Sequence, residues 1–167
     1  KGVDAVVASA KQAFARLRKT PVHQRVKWLS QGAAVVCANA DELANLISED
    51  VGKPMRACRV EIQRSAEFFE GCGAYIGQMR GELLPLDAVA NGAGTYGLTR
   101  HIPYGVVGAI TPFNAPLNLL VQKLAPAVAA GNTVVAKPAP AATRATLRLA
   151  ERLHAAGWPD GLFSVVT

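Results

Sequence analysis

The chain has 167 residues, 50% of them hydrophobic, and 18 Lys and Arg against 12 Asp and Glu, a formal charge of +6. That length buries one substantial core, so a single domain or part of a larger one is expected. No apolar run reaches the ~18–20 residues that span a bilayer; no signal-peptide pattern opens the chain, a start at Lys1 rather than Met implies residues ahead of it, and no repeat or low-complexity tract occurs.

The front of the chain has helical periodicity in four stretches, Val3 to Lys19, His23 to Ala38, Asp41 to Val51 and Pro54 to Met79. The breaks fall at Thr20-Pro21, Asn39-Ala40 and Gly52-Lys53-Pro54, where proline and glycine interrupt the pattern. Between Asp4 and Asp41 no acid occurs, while Lys11, Arg16, Arg18, Lys19, Arg25 and Lys27 do. A nucleic-acid surface is one reading; no aromatic residues for base stacking interleave with the cations, and solvated helix faces are the preferred one. Gly81 to Arg100, with Pro85 and an Asn91-Gly92 turn signal, predicts a hairpin or extended arm.

From there the pattern changes. Gly105 to Ile110 and Asn132 to Ala136 are short apolar runs without polar alternation, as expected of strands buried on both faces in a parallel sheet. Between them Pro116 to Ala130 reads as a mostly apolar helix with Gln122 and Lys123 on its wet side, stopped by Gly131. A strand, a helix and a strand make a βαβ unit, and parallel strands bring their carboxyl ends to one edge. Thr111 to Asn114 and Lys137 are therefore predicted on one rim, where open α/β sheets bind ligands. Thr143 to Ala156 predicts an amphipathic helix ended by Gly157, then a turn at Trp158 to Gly161 and a third strand at Leu162 to Val166. The expected fold is α/β, with a helical N-terminal segment feeding a doubly wound, mostly parallel Rossmann-like sheet and a protruding β-ribbon, the sheet truncated after three strands. The organisation expected is a helical part at 1–80, the ribbon at 81–102 and a first βαβαβ at 103–167.

Other signals mislead. Gly92-Ala-Gly-Thr-Tyr-Gly97 fits the G-x-G-x-x-G spacing, but a dinucleotide fingerprint needs a strand before it and a helix opening at its end. Here the glycines lead into Leu-Thr-Arg-His-Ile-Pro, and a glycine-rich turn is expected. Cys37, Cys58 and Cys72 have neither C-x-x-C nor metal-ligand spacing. Cys37 reads as a small core residue, no metal site is expected, and an odd count suits a reducing cytoplasm. His23, His101 and His154 are scattered, without mutual spacing.

Pro103-Tyr-Gly-Val-Val-Gly-Ala-Ile-Thr-Pro-Phe-Asn-Ala-Pro116 followed by Lys123-Leu-Ala-Pro-Ala-Val-Ala-Ala-Gly-Asn-Thr-Val-Val-Ala-Lys-Pro138 resembles the aldehyde dehydrogenase superfamily. Glu49-Asp-Val-Gly-Lys-Pro54 is similar to that family's E-x-G-K-P turn, and the ribbon ending at Arg100 is similar to its oligomerisation arm. The resemblance covers most of the chain.

It implies an NAD(P)-dependent oxidation of an aldehyde to a carboxylic acid through a thiohemiacetal. Asn114 matches the asparagine whose amide stabilises the developing alkoxide, a contribution of the oxyanion-hole kind. Ile110, Thr111, Pro112 and Phe113 match backbone that contacts the cofactor, and Lys137, followed by Ala139 and Pro140, matches the lysine that binds the adenosine ribose. Pro140 departs from the acid that many NAD-preferring members carry there, so NAD and NADP both stay open, with Arg144 a weak candidate for a 2′-phosphate. Lys123 matches a common lysine, with a packing or surface role equally open. Phe113, Leu117 and Val121 match part of the family's substrate tunnel. The family's nucleophilic cysteine and general-base glutamate lie downstream of the third strand, so this segment alone is expected to be inactive. The resemblance further implies a cytoplasmic homo-oligomer, dimer or tetramer, acting on a small aldehyde, with no nucleic-acid or membrane partner. The alternative is a non-catalytic nucleotide-binding or oligomerisation module using the same rim.

Overall fold

The computed structural model describes residues 2–167. Four helices come first: α1 Val3–Leu17, α2 Val22–Ala38, α3 Ala40–Val51 and α4 Met55–Tyr75. A 3-10 turn, Ile76–Gln78, ends α4. A two-stranded antiparallel ribbon follows, β1 Leu83–Leu84 paired with β2 Gly97–Leu98. The remaining elements alternate as β3 Val106–Ile110, α5 Pro116–Ala129, β4 Thr133–Lys137, α6 Thr143–Ala155 and β5 Phe163–Val165. The three strands form one parallel sheet in the order β3-β4-β5. The α/β architecture with a mostly parallel, Rossmann-like sheet and a projecting ribbon is that expected from the sequence.

β4 explains why its sequence lacks alternation. Thr133, Val134, Val135 and Ala136 are all buried, because helices cover both faces of the strand. On one face the Thr133 hydroxyl donates to Ala10 O of α1 at 3.1 Å. On the other, Val134 and Ala136 join the main core with Leu117, Leu120, Leu124, Leu149 and Leu153 from α5 and α6. That core continues through Leu29, Val36, Ile47, Ile62 and Phe69 of α2, α3 and α4.

One expectation needs correction. Cys37 is exposed, not a core residue. The buried positions of α2 are Trp28, Leu29, Gly32, Ala33 and Val36, and one residue past Val36 is a turn of about 100° away from that stripe. The ribbon is the hairpin arm expected, with Asn91-Gly92 inside a turn that lies beyond the paired strands. Its chain passes through 3-10 turns at Leu86–Ala88 and Ala90–Gly92, closed by Ala88 N donating to Pro85 O and Gly92 N to Val89 O. The ladder is left only two residues long. Gly97, the last glycine of the G-x-G-x-x-G spacing, lies in β2, with no helix opening there.

Candidate functional site

The rim of the sheet is fixed by strand register. Val106 pairs with Thr133 and Ile110 with Lys137, so the two strands end level. Thr111 N makes one more bond, to Lys137 O at 3.2 Å. Pro112 has no N–H to continue the ladder, and the chain leaves the sheet. Phe113 and Asn114 are exposed on the turn, and Pro116 occupies the first position of α5, where its fixed φ suits a helix start. The Asn114 carboxamide makes no hydrogen bond among the described residues, so its N–H groups are free to donate.

What holds this turn comes from elsewhere in the chain. Glu61 of α4 is only 4% exposed. Its Oε1 accepts from the backbone N–H groups of Leu117 and Asn118 at 2.9 and 3.2 Å, satisfying two otherwise unpaired donors of the first turn of α5. Its Oε2 pairs with Lys53 Nζ. Lys53 Nζ in turn donates to Asn114 O at 3.2 Å. One carboxylate and one ammonium therefore fix both sides of the turn: the main chain of Asn114 is pinned while its side chain stays exposed. Glu61 also occupies the helix N-terminus where an anionic ligand would otherwise bind.

Lys53 is delivered by the Gly52-Lys53-Pro54 turn. Gly52 ends α3 in the left-handed conformation (φ 65°), which a glycine adopts without strain. Ser48 Oγ donates to Lys53 O at 2.8 Å, fixing the main chain from which the ammonium reaches Glu61.

The other predicted positions sit on the same rim with different freedom. Ile110 is 75% exposed and Phe113 61% exposed, both apolar surfaces facing outward at the strand exit. Thr111 is buried and its hydroxyl has no partner among the described residues. Lys137 is exposed, its ammonium donating to Pro138 O at 3.2 Å. Ala139 O is already taken, accepting from Ala142 N at 2.9 Å and from Thr143 Oγ1 at 3.1 Å. Pro140 is exposed and offers only ring surface. Arg144 is not free for a phosphate. Its guanidinium binds Asp50 and, at 3.0 Å, Glu49, and those hydrogen-bonded carboxylates push its pKa up. Lys123 donates to Leu119 O of its own helix at 3.3 Å.

Beside the turn, a groove of about 660 Å³ runs between α4 and α5. Arg64, Phe68 and Cys72 line one wall and Asn118 and Gln122 the other. Leu117 and Val121, matched to a substrate tunnel, point the other way: both are fully buried in the core. Of the three matched residues only Phe113 is exposed. Among the described residues no group of three or more His, Cys, Asp and Glu is placed to hold a metal ion, and no helix is long and apolar enough to cross a membrane.

Sequence reasoning missed Glu61 and the groove that Arg64 and Asn118 line. For Glu61 a signal existed: Cys58, Glu61, Ile62, Ser65, Ala66 and Phe69 form the buried stripe of α4. An acid in such a stripe requires a partner.

The sequence matches the model of the aldehyde dehydrogenase family over residues 1–167. It is 37% identical over 166 residues to 3-sulfolactaldehyde dehydrogenase of Priestia aryabhattai, covering 99% of this chain and 34% of that protein. Among solved structures it is similar to the NADP-dependent glyceraldehyde-3-phosphate dehydrogenase of Bacillus halodurans C-125 complexed with NADP, at TM-score 0.92 and 34% identity, covering 99% of this chain and 35% of that one. PnpE in complex with nicotinamide adenine dinucleotide gives TM-score 0.92 and 35% identity, over 98% of this chain and 33% of that one. The chain thus spans about a third of the length of the relatives it matches.

Proposed function

The chain belongs to the aldehyde dehydrogenase family, and from that premise we propose that the complete protein oxidises an aldehyde to a carboxylic acid with NAD or NADP. In this reading the segment supplies the oxyanion donor and part of the cofactor cradle. The observation that carries it is the pinned turn: Asn114 has its carbonyl held by Lys53 while its amide is exposed and without a partner.

The chemistry runs through a thiohemiacetal, formed when a thiolate adds to the aldehyde carbon and the carbonyl oxygen takes on negative charge. The Asn114 amide donates to that oxygen. Because its main chain is fixed in advance, little reorganisation is needed as the charge appears. When bound, nicotinamide would accept the hydride that leaves the former aldehyde carbon, and water then hydrolyses the resulting thioester to the acid and the free thiol. Cys58 and Cys72 are poor sources of the thiolate, since burial pushes both thiols up, away from the ionised form. Cys37 is exposed on α2, an element that contributes no residue to the rim. The attacking thiolate is assigned to the part of the complete protein outside this segment.

The rim suits the cofactor by its donor set. Lys137 presents ammonium donors for ribose hydroxyls, and the outward apolar surfaces of Ile110 and Phe113 are available to cover a ring and exclude water. Thr111, Pro112, Ala139 and Pro140 contribute shape, since their polar groups are absent, buried or engaged. With proline at 140 no acid stands there to repel a 2′-phosphate, Arg144 is held by Asp50 and Glu49, and the Lys137 ammonium remains for either ribose, so both cofactors are admitted. Three free cysteines suit a reducing compartment such as the cytoplasm, and the ribbon is assigned to homo-oligomer assembly.

The test is aldehyde-dependent formation of NADH or NADPH by the complete protein, with acid product in equal amount. No reduced cofactor with any aldehyde in a broad panel removes this reading.

A further inference from the structure

A polar pocket of about 330 Å³ lies at the other end of the sheet. It is lined by Arg18 and Lys19 after α1, Arg25 of α2, and Arg100 and His101 where the ribbon returns. Pro103 and Gly131, ahead of β3 and β4, close it on the sheet side. A Cβ built on Gly131 would lie 3.4 Å from Arg25 Nη1 and 3.6 Å from Pro103 Cγ, so the guanidinium stands at the entry of the two strands. The rim with Asn114 and Lys137 lies past their exits. Five residues per strand at ~3.3 Å each put about 15 Å between the two places.

The charge of this pocket is one-sided. No Asp or Glu lines it, and Arg18, Lys19, Arg25 and Arg100 make no ion pair among the described residues. Glu82, next to the lining residue Gly81, makes none either. The Arg25 guanidinium donates to Ala129 O, while its Nε is buried without a partner among the described residues. Burial pushes the Arg25 pKa down, because no acid offsets the lost hydration. The start of α2 adds positive potential: its cap is Pro21, with no side-chain hydrogen bond, and no acid occupies its first turn. The carbonyl ends of α1 and α5 supply only about half a negative charge each. Four cations outweigh them, and the pocket stays strongly positive.

Cations gathered in a small cavity without a counter-charge repel one another, and a partly buried one lacks the partner that burial requires. Guanidinium groups match phosphate oxygens in number and geometry. We propose that this pocket binds a small phosphate-bearing molecule, which bridges Arg18 at the α1–α2 corner and Arg100 at the root of the ribbon. The volume is at the low end for small-ligand sites, room for a diphosphate or a short phosphate ester. Bound there, the ligand holds the ribbon against the helical layer. The site is separate from the rim and independent of the chemistry proposed there.

The experiment titrates pyrophosphate into the complete protein by calorimetry, at an ionic strength kept constant with sodium chloride. Wild type is compared with Arg18→Gln, Arg100→Gln, Lys27→Gln and Lys137→Gln. Arg18 and Arg100 are exposed, so their replacement leaves the core intact, and Arg25 is kept because it also bonds the end of α5. Lys27, exposed on α2 outside the pocket, controls for net charge, and Lys137 controls for binding at the rim. Wild type is expected to bind pyrophosphate saturably at this site. Arg18→Gln and Arg100→Gln should each weaken that binding about 10- to 100-fold, the worth of a hydrogen bond to a charged group. Lys27→Gln and Lys137→Gln should stay within about twofold of wild type. No saturable binding by wild type, equal loss in Lys27→Gln, or loss in Lys137→Gln alone overturns the site. Loss in only one of Arg18→Gln and Arg100→Gln overturns the bridge between corner and ribbon.

Discussion

Glu61 divides its two oxygens between a helix terminus and an ammonium, and both partners lose when it is removed. In Glu61→Leu, two N–H groups at the start of α5 and the Lys53 ammonium are left without their acceptor in a mostly buried place. A loss of about 2–4 kcal/mol is expected, read as a lower urea midpoint of the complete protein. Glu61→Gln, which keeps one acceptor oxygen, should lose less. Turnover should fall in both, because the Asn114 carbonyl loses its fixed partner. The thiols give a second residue-level prediction. Burial pushes Cys58 and Cys72 above the ordinary value of 9.0, so above that pH the unfolded chain has released protons the folded chain keeps. Their contribution to stability is intact below pH 9 and declines as pH rises through the raised values. Under native conditions a thiol reagent should modify Cys37 at once, Cys72 slowly and Cys58 only on unfolding, as followed by peptide mass mapping; rapid modification of Cys58 would contradict its burial. At this scale the sequence was partly legible. Motif and register placed the Asn114 turn and Lys137 on one rim, whereas Glu61 was hidden because the two N–H groups it caps lie 56 and 57 residues away.

Among the elements, the contact of α2 with α4 depends on a missing side chain. A Cβ built on Gly32 would sit 2.9 Å from Phe69 Cε1. Phe69 is fully buried and meets Trp158 edge-on, ring centroids 6.1 Å apart at 87°. Gly32→Ala gains up to about 1 kcal/mol of helix propensity but forces this aromatic pair apart, at a cost of about 1–3 kcal/mol. A net lower melting temperature is the expected result. A rise in melting temperature would show that α2 can withdraw without penalty. Helix boundaries were legible to within a few residues, because Thr20-Pro21, Gly52-Lys53-Pro54 and Gly131 interrupt the chain in ways helices cannot absorb. Ribbon geometry was not legible: an Asn-Gly pair codes equally well for a tight hairpin turn and for the 3-10 turn at Ala90–Gly92. The face of α5 turned to the groove was also misread. Leu117 and Val121 were assigned by resemblance, yet both are fully buried, and Asn118 and Gln122 line the groove instead.

For the whole molecule, the ribbon and the basic surface bear on partners. Leu83, Val89, Tyr96 and Leu98 of the ribbon are exposed, an apolar arm with two-residue strands that suits burial against another chain. Leu98→Glu is expected to shift the complete protein toward monomer in light scattering after gel filtration. An unchanged assembly would remove the ribbon from the interface. The cations between Asp4 and Asp41 do not form a single device: Arg16 donates to Asp160 O at 3.3 Å and Arg25 to Ala129 O near the end of α5. The most direct test of the account is Asn114→Ala in the complete protein, with kcat and cofactor dissociation constants measured together. Loss of one oxyanion donor predicts kcat lower by about 10²–10³, with NAD and NADP affinities within about twofold of wild type. Equal losses of turnover and cofactor affinity, or no change in kcat, would contradict the role given to Asn114.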